Sequence, residues 1–352
     1  MTKVILEQRA GISAKTLGDY EKGRAVPTAD ALESIASVLR FPVSFFYRPD
    51  LQEPTEDGVS FRSLSTMRAG QRDAALAAGA LAFELSEWID GEFELETPDL
   101  PDLREYEPAE AAMMLRNYWG YGLRPIGNMI HALESKGVRV FSLAERGRQI
   151  DAFSLWYHEA PYVFLNTMKM AEHSRMDAAH ELGHLVMHRH GAIRSRDVET
   201  DAKVFASAFL MPRDSVVGVV PKLTGPSLAN LAQLKRNWGV SLAALAMRLN
   251  KLDLLPDHSY RMVCIELSKY GRTREPNAIE ERETSAVLAK VFGMMNDTGT
   301  TKADVAKQLD LYTEDLDALI VGLGQMAVSE TAGQPTKDGD AAARHRQFKV
   351  YG

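Results

Sequence analysis

Residues 175–190 read RMDAAHELGHLVMHRH, a helically patterned run that contains His180-Glu181-Leu182-Gly183-His184. Residues four apart on a helix lie on one face, so the HExxH spacing lets both imidazoles reach one metal ion while Glu181 projects beside them. With imidazole and carboxylate ligands and no thiolate, zinc is the default ion, its fourth position open to water. Such an ion lowers the pKa of bound water towards ~7 and polarises a scissile carbonyl. Glu181 is then placed to take a proton from that zinc-bound water and deliver it to the leaving amine. With 9 His and 26 Glu in 352 residues, random order would give about 0.02 HExxH matches. Context then decides how much weight the motif bears.

A second acid-bearing helix follows at 198–212, VETDAKVFASAFLMP, nearly all apolar after its first turn. Glu199 and Asp201 are the two candidates for a third ligand, and their side chains point about 200° apart on a helix, so only one can face the ion. The periodicity favours Glu199, which shares a face with Ala202 and Ala206, the side suited to close packing on a neighbouring helix. His188 and His190 extend the motif helix, where proximity to its C-terminus suits the macrodipole better than a metal. His173 reads as a loop residue before the helix. Asp177, one turn ahead of His180, reads equally as an imidazole-orienting acid and as an exposed first-turn acid. The single cysteine, Cys264, reads as a small buried hydrophobe, and alone it can build neither an intrachain disulfide nor a Cys-rich zinc site.

Upstream of the motif, Val138–Phe141, Ala152–Trp156 and Tyr162–Leu165 are short β-branched and aromatic runs separated by loop signals, which predicts three strands of a small sheet. Most of the remaining chain has helical periodicity, giving an α+β, mostly α, fold class. Residues 1–48 form a block of short helical signals, with Ser13 and Thr28 as N-caps. The Pro-, Glu- and Asp-rich stretch 49–68 reads as a linker, 69–276 as the metal-bearing domain, 277–326 as a C-terminal helical domain and 327–352 as a mobile tail. Hydrophobic residues at 45% and charged residues at 25% exclude wholesale disorder and fibrous structure. No apolar run reaches the roughly 18 residues of a membrane span, and charges occupy the place of a signal-peptide core, so the expected location is cytoplasmic. A net charge of −7 excludes coating of nucleic acid by bulk electrostatics but leaves room for a small local DNA-binding face.

HELGHLVMHRHG followed by ETDAKVFASAFLMP resembles the ImmA/IrrE family of zinc metallopeptidases, as do Phe164-Leu165-Asn166 and the later LKRNWGVS run at 234–241. The resemblance spans about 110–276 and implies a zincin-like core with His180, His184 and Glu199 as zinc ligands and Glu181 as catalytic base. Lys203 departs from the Asp, Asn or His usual at that place, which touches a contact behind the ligands. Residues 1–48 are similar to the XRE/Cro-type helix-turn-helix, matched from near that family's second helix, so its first helix is expected to be absent. The resemblance implies a recognition helix at about 13–22, with Ser13, Ala14, Lys15, Thr16 and Asp19 towards the groove and Lys22 or Arg24 on phosphate. Seven basic against six acidic residues over 1–50 give that module a net charge of only +1.

Family members of this type cleave a DNA-binding repressor or antitoxin, often encoded next door, and thereby release a stress, mobile-element or phage-defence programme. Single-stranded DNA is one trigger the resemblance implies. An extended peptide is expected to add to the edge of Ala152–Trp156 or Tyr162–Leu165, with Phe153, Trp156 and Tyr162 as substrate-binding residues. Two readings from other classes compete with the peptidase. One is a transcriptional regulator whose peptidase-like domain only senses a ligand or partner; the other is an antitoxin-like protein whose helices at 300–324 bind a toxin.

Overall fold

The computed structural model of the chain describes residues 1–52, 54, 69–143, 152–189, 196–220, 228–270, 275–324 and 346–347. The fold is α+β and mostly helical, with a small mixed sheet. At the N-terminus three short helices, α1 (Lys3–Ala10), α2 (Ala14–Glu21) and α3 (Ala29–Leu39), pack around Leu17, Leu32, Ile35 and Ala36. Gly11 turns the chain between α1 and α2 at φ 69°, a left-handed conformation that glycine adopts without steric cost. Ser13 Oγ accepts from Thr16 N at 3.1 Å and Thr28 Oγ1 from Ala31 N at 3.3 Å, the N-caps predicted for α2 and α3.

The segment expected to be a linker begins docked. Just before it, Arg48 pairs with Glu84 and donates to the Leu309 carbonyl at 2.5 Å; within it, Gln52 accepts from the Tyr157 hydroxyl at 2.8 Å and Pro54 is buried beside Gly79. The rest of the expected linker, Glu53 and 55–68, lies outside the described residues.

The main body begins with the long helix α4 (Ala69–Glu92) and the short strand β1 (Phe93–Glu94). Pro108 opens α5 (Pro108–Tyr118), and the short helix α6 (Met129–Glu134) follows. The sheet then forms from β2 (Arg139–Ser142), β3 (Ala152–Tyr157) and β4 (Ala160–Leu165), in the order β2-β4-β3. β4 runs parallel to β2 and antiparallel to β3, so Tyr162–Leu165 is the central strand and offers no edge to a peptide, contrary to one of the two edges expected. The reason lies in burial: Tyr162 through Leu165 are all covered, as in a strand enclosed by neighbours and by layers on both faces. One face carries Phe141, Phe153, Tyr162 and Phe164, and Phe83 of α4 packs there, stacking on Tyr157 at 3.9 Å. The other face meets α7 (Ala171–Met187), the HExxH helix.

The second acid-bearing helix is α8 (Arg196–Leu210), which packs closely on α7. Helices α9 (Arg213–Val219), α10 (Leu228–Leu234), α11 (Leu242–Lys251) and α12 (Asp257–Ser268) follow. Then come α13 (Ala286–Asp297), α14 (Lys302–Gln308) and α15 (Thr313–Ile320). Leu288, Val291, Leu316, Leu319 and Leu323 belong to the same hydrophobic cluster as Phe153, Leu182 and Phe205, so the core is not divided at 276/277. Within the expected tail, β5 (Arg346–Gln347) pairs in parallel with β1, and the other residues from 325 onward lie outside the described set. On α12 only Val263 is buried and Cys264 is exposed, which corrects its reading as a buried hydrophobe. No helix among the described residues is long and apolar enough to cross a membrane.

Candidate metal centre

α7 lies between the sheet and α8, and its motif residues are covered: Glu181 and His184 are buried and His180 is half-buried. His180 Nε2 and His184 Nε2 stand 3.1 Å apart, as the four-residue spacing predicts. Glu199, from the first turns of α8, places Oε2 3.5 Å from His180 Nε2 and Oε1 3.4 Å from His184 Nε2. Four ligands at ~2.0–2.1 Å in a tetrahedron stand about 3.3–3.4 Å from one another. The three side chains therefore already have the mutual spacing of zinc ligands, and among the described residues they form the one His/Cys/Asp/Glu group that could hold a metal. Two imidazoles and a carboxylate also match zinc in donor chemistry.

The electrostatics agree with a cation site. Burial would raise the Glu199 carboxyl, yet hydrogen bonds to His180 and His184 hold it well below the usual range. For His180, burial pulls the pKa down, but the hydrogen bond to Glu199 and the charges of Glu181, Glu199 and Asp177 outweigh it and the net shift is upward. Burial pushes the Glu181 carboxyl up, against the charges of His184 and His180 and the hydrogen bond from Ser154.

Asp201 is half-buried, lies outside the ligand group and is pushed up by burial and by Asp197 and Glu107. Replacing Glu199 with Ala is expected to weaken zinc binding by well over ~100-fold, whereas Asp201→Ala should change it less than about twofold. Equilibrium dialysis against zinc distinguishes them. Lys203 is exposed.

Close approach of α8 to α7 depends on Gly183. A Cβ there would sit 3.0 Å from Phe205 Cδ1 and 3.4 Å from Ala202 Cα. Gly183→Ala gains up to ~1 kcal/mol in helix propensity, but overpacking costs about 1–3 kcal/mol, so a net loss of about 1 kcal/mol is expected. Since α8 carries Glu199, zinc affinity should fall as well; urea unfolding and zinc titration of the same preparation read both effects.

Several neighbours of the site escaped the sequence reading. His188, set aside there as a C-terminal histidine, places Nδ1 3.1 Å from His184 Nδ1. It too is four residues on, and burial, then the His184 charge, lower its pKa to about 4 and keep it neutral. Were Nε2 of His184 given to a metal, its Nδ1–H would be donated to His188, which would fix the ring's orientation. Asp177 binds Lys169 Nζ at 2.6 Å, and His173 is exposed in the first turn of α7. His190 lies outside the described residues. Ser154, the small polar residue of AFSLWY, donates from Oγ to Glu181 Oε2 at 2.7 Å.

Of the aromatic residues expected to bind substrate, two are covered and one is half-buried. Phe153 and Tyr162 are buried in the sheet's aromatic face, Phe153 stacked on Phe164 at 4.4 Å. Trp156 is half-buried, its indole N–H donated to the Leu185 carbonyl at 3.2 Å and its ring covered by Arg189 at 3.7 Å. Fully covered aromatic strands carry core side chains on both faces, so their rings are spent on packing.

Residues 133–250 match the family model described as IrrE N-terminal-like domain, a peptidase family. This part of the chain is similar to IrrE N-terminal-like domains. It contains the sheet, α7, α8 and all four motif residues, and the match suggests a metallopeptidase-like domain. Residues 2–46 match the model described as helix-turn-helix. No curated protein matches the chain significantly.

In residues 2–46, Lys15 and Lys22 are exposed, while Ala14 and Thr16 are half-buried. Ser13 is engaged as the cap of α2, Asp19 pairs with Arg24 at 2.9 Å, and Lys3 pairs with Glu21. Of the residues expected at DNA, Lys15 and Lys22 are thus the cations with no ion pair described.

Proposed function

We propose that the chain is a zinc-dependent endopeptidase that cleaves a specific DNA-binding repressor or antitoxin and so switches on a stress, mobile-element or defence response. The observation that carries this reading is the convergence of His180, His184 and Glu199 beside the buried carboxylate of Glu181, next to an edge strand. Zinc held by these three residues would supply Lewis acidity to the scissile carbonyl and to water. Glu181 takes a proton from the attacking water and returns it to the leaving amine. An extended peptide adds along the edge of β3 that faces away from β4, held by backbone hydrogen bonds. The requirement on the peptide's side chains is small, consistent with Phe153 and Tyr162 being committed to the core.

The helix-turn-helix suits a substrate that itself works on DNA: Lys15, Lys22 and Arg24 contact double-stranded DNA, and the weak charge balance of the module keeps that contact subordinate to the protein partner. Single-stranded DNA is the proposed activating signal. Co-expression with the proteins encoded next to this one, wild type against Glu181→Gln, tests the reading by mass spectrometry. A specific cut made by the wild type alone is expected. A stable complex with an uncut neighbour would favour the regulator or toxin-binding reading instead.

A further inference from the structure

Ser154 and Trp156 are two residues apart on β3, and both reach α7. Ser154 Oγ donates to Glu181 Oε2 at 2.7 Å and lies 3.3 Å from the Glu181 carbonyl; Trp156 Nε1 donates to the Leu185 carbonyl at 3.2 Å. Two strand residues advance about 6.6 Å and four helical residues about 6 Å, so the two bonds fit one register between strand and helix. Both partners of the first bond are shielded from water, Ser154 at 1% exposure and Glu181 at 4%. Ala152, Phe153 and Leu155 around it are apolar, and a β-branched apolar residue would suit a buried strand better than serine. A hydroxyl there gains chiefly by meeting the carboxylate.

We infer that Ser154 is a positioning residue for Glu181: its hydroxyl ties one carboxylate oxygen to the edge strand and turns the other towards the reacting water. The strand proposed to receive the peptide and the group that moves the proton are thereby held by one side chain. This rests on the metallopeptidase reading above. Trp156, one step along, supplies the second tie and keeps Ser154 opposite Glu181.

The test uses the full chain loaded with cobalt, with acetohydroxamate as probe and the visible spectrum as readout, because a hydroxamate that binds the metal gives its proton to the neighbouring base. Ser154→Ala should keep the wild-type cobalt content and bind acetohydroxamate about tenfold more weakly, the effect of one lost hydrogen bond to a charged group. Ser154→Thr should restore most of the loss. Glu181→Gln should weaken the probe further, and adding Ser154→Ala to it should cost nothing more, because the serine acts through the glutamate. Should the alanine variant fail to fold, Ser154→Cys, of similar size and a weak donor, is expected to show the same loss. Unchanged affinity in Ser154→Ala, or an equal loss in the Glu181→Gln background, overturns the proposal. A wild-type chain that takes up no cobalt overturns the metal-centre reading itself.

Discussion

Exchanging Glu181 for Gln is expected to lower peptide-bond cleavage by about 10²–10⁴-fold, the usual contribution of a positioned proton-transfer group, while leaving zinc content unchanged. Gln keeps the size and can still accept the Ser154 hydroxyl through its carbonyl oxygen, so the packing between β3 and α7 survives. What it loses is a group able to take a proton from water and give it to the amine. His180 and His184 face each other and Glu199, while the Glu181 side chain is tied to Ser154, so the ligands are expected to keep their places. Cleavage is read on the co-expressed substrate by mass spectrometry and zinc by elemental analysis. Cleavage within threefold of wild type would contradict the assigned role, and loss of zinc would mean that Glu181 supports the ligands instead.

The second large effect is structural and lies at the other end of α7. Lys235 is fully buried, with Nζ 2.9 Å from Glu172 Oε1 and 2.5 Å from Glu275 Oε1. Glu172 Oε1 also accepts from Ile279 N at 2.7 Å, and Glu275 accepts from Leu242 N at 3.0 Å. One ammonium thus joins the first turn of the HExxH helix to α11 and to the segment 275–283. In Lys235→Ala the two carboxylates remain, facing each other out of water. Removing one partner of a buried ion pair costs about 3–5 kcal/mol, and this loss is expected in urea unfolding of the metal-free protein. Adding Glu172→Gln should recover part of it, since one of the stranded charges is then gone. A loss below about 1 kcal/mol would show that water reaches the pair.

Arg175, one turn on from Glu172, is bound in the same way, to Glu283 and to the carbonyls of Trp238, Gly127 and Ile126. These two cationic centres explain the LKRNWG run at 234–239 physically: Lys235 reaches Glu172, and the Trp238 carbonyl receives Arg175. The metal helix is therefore fixed at its N-terminal end by charge and at its motif by β3 and α8.

The parts of the site legible in the sequence were those set by local periodicity. The four-residue spacing of His180 and His184 and the face shared by Glu199, Ala202 and Ala206 follow from helix geometry alone, and the three strands from their β-branched and aromatic texture. What escaped depends on which element covers which. Strand order in the sheet is a long-range property, so nothing in TYR-VAL-PHE-LEU at 162–165 distinguished a central strand from an edge. The same blindness made Phe153 and Tyr162 look like a binding surface. An aromatic side chain reads alike whether Phe83 covers it or a peptide does. Cys264 erred in the opposite direction, because α12 buries only Val263 and turns its neighbour outward. Ser154 carried a usable signal, a lone hydroxyl in an apolar strand, but its partner stands 27 residues away.

The central claim is that two imidazoles and the Glu199 carboxylate hold one ion beside Glu181. X-ray absorption at the zinc edge of the purified full chain tests it most directly. The expected spectrum has four nitrogen or oxygen neighbours at ~2.0–2.1 Å with the multiple-scattering signature of two histidine rings, reduced to an oxygen-only shell or lost in His180→Ala/His184→Ala. A spectrum with no histidine signature in the wild type, or one unchanged in the double variant, would contradict the account.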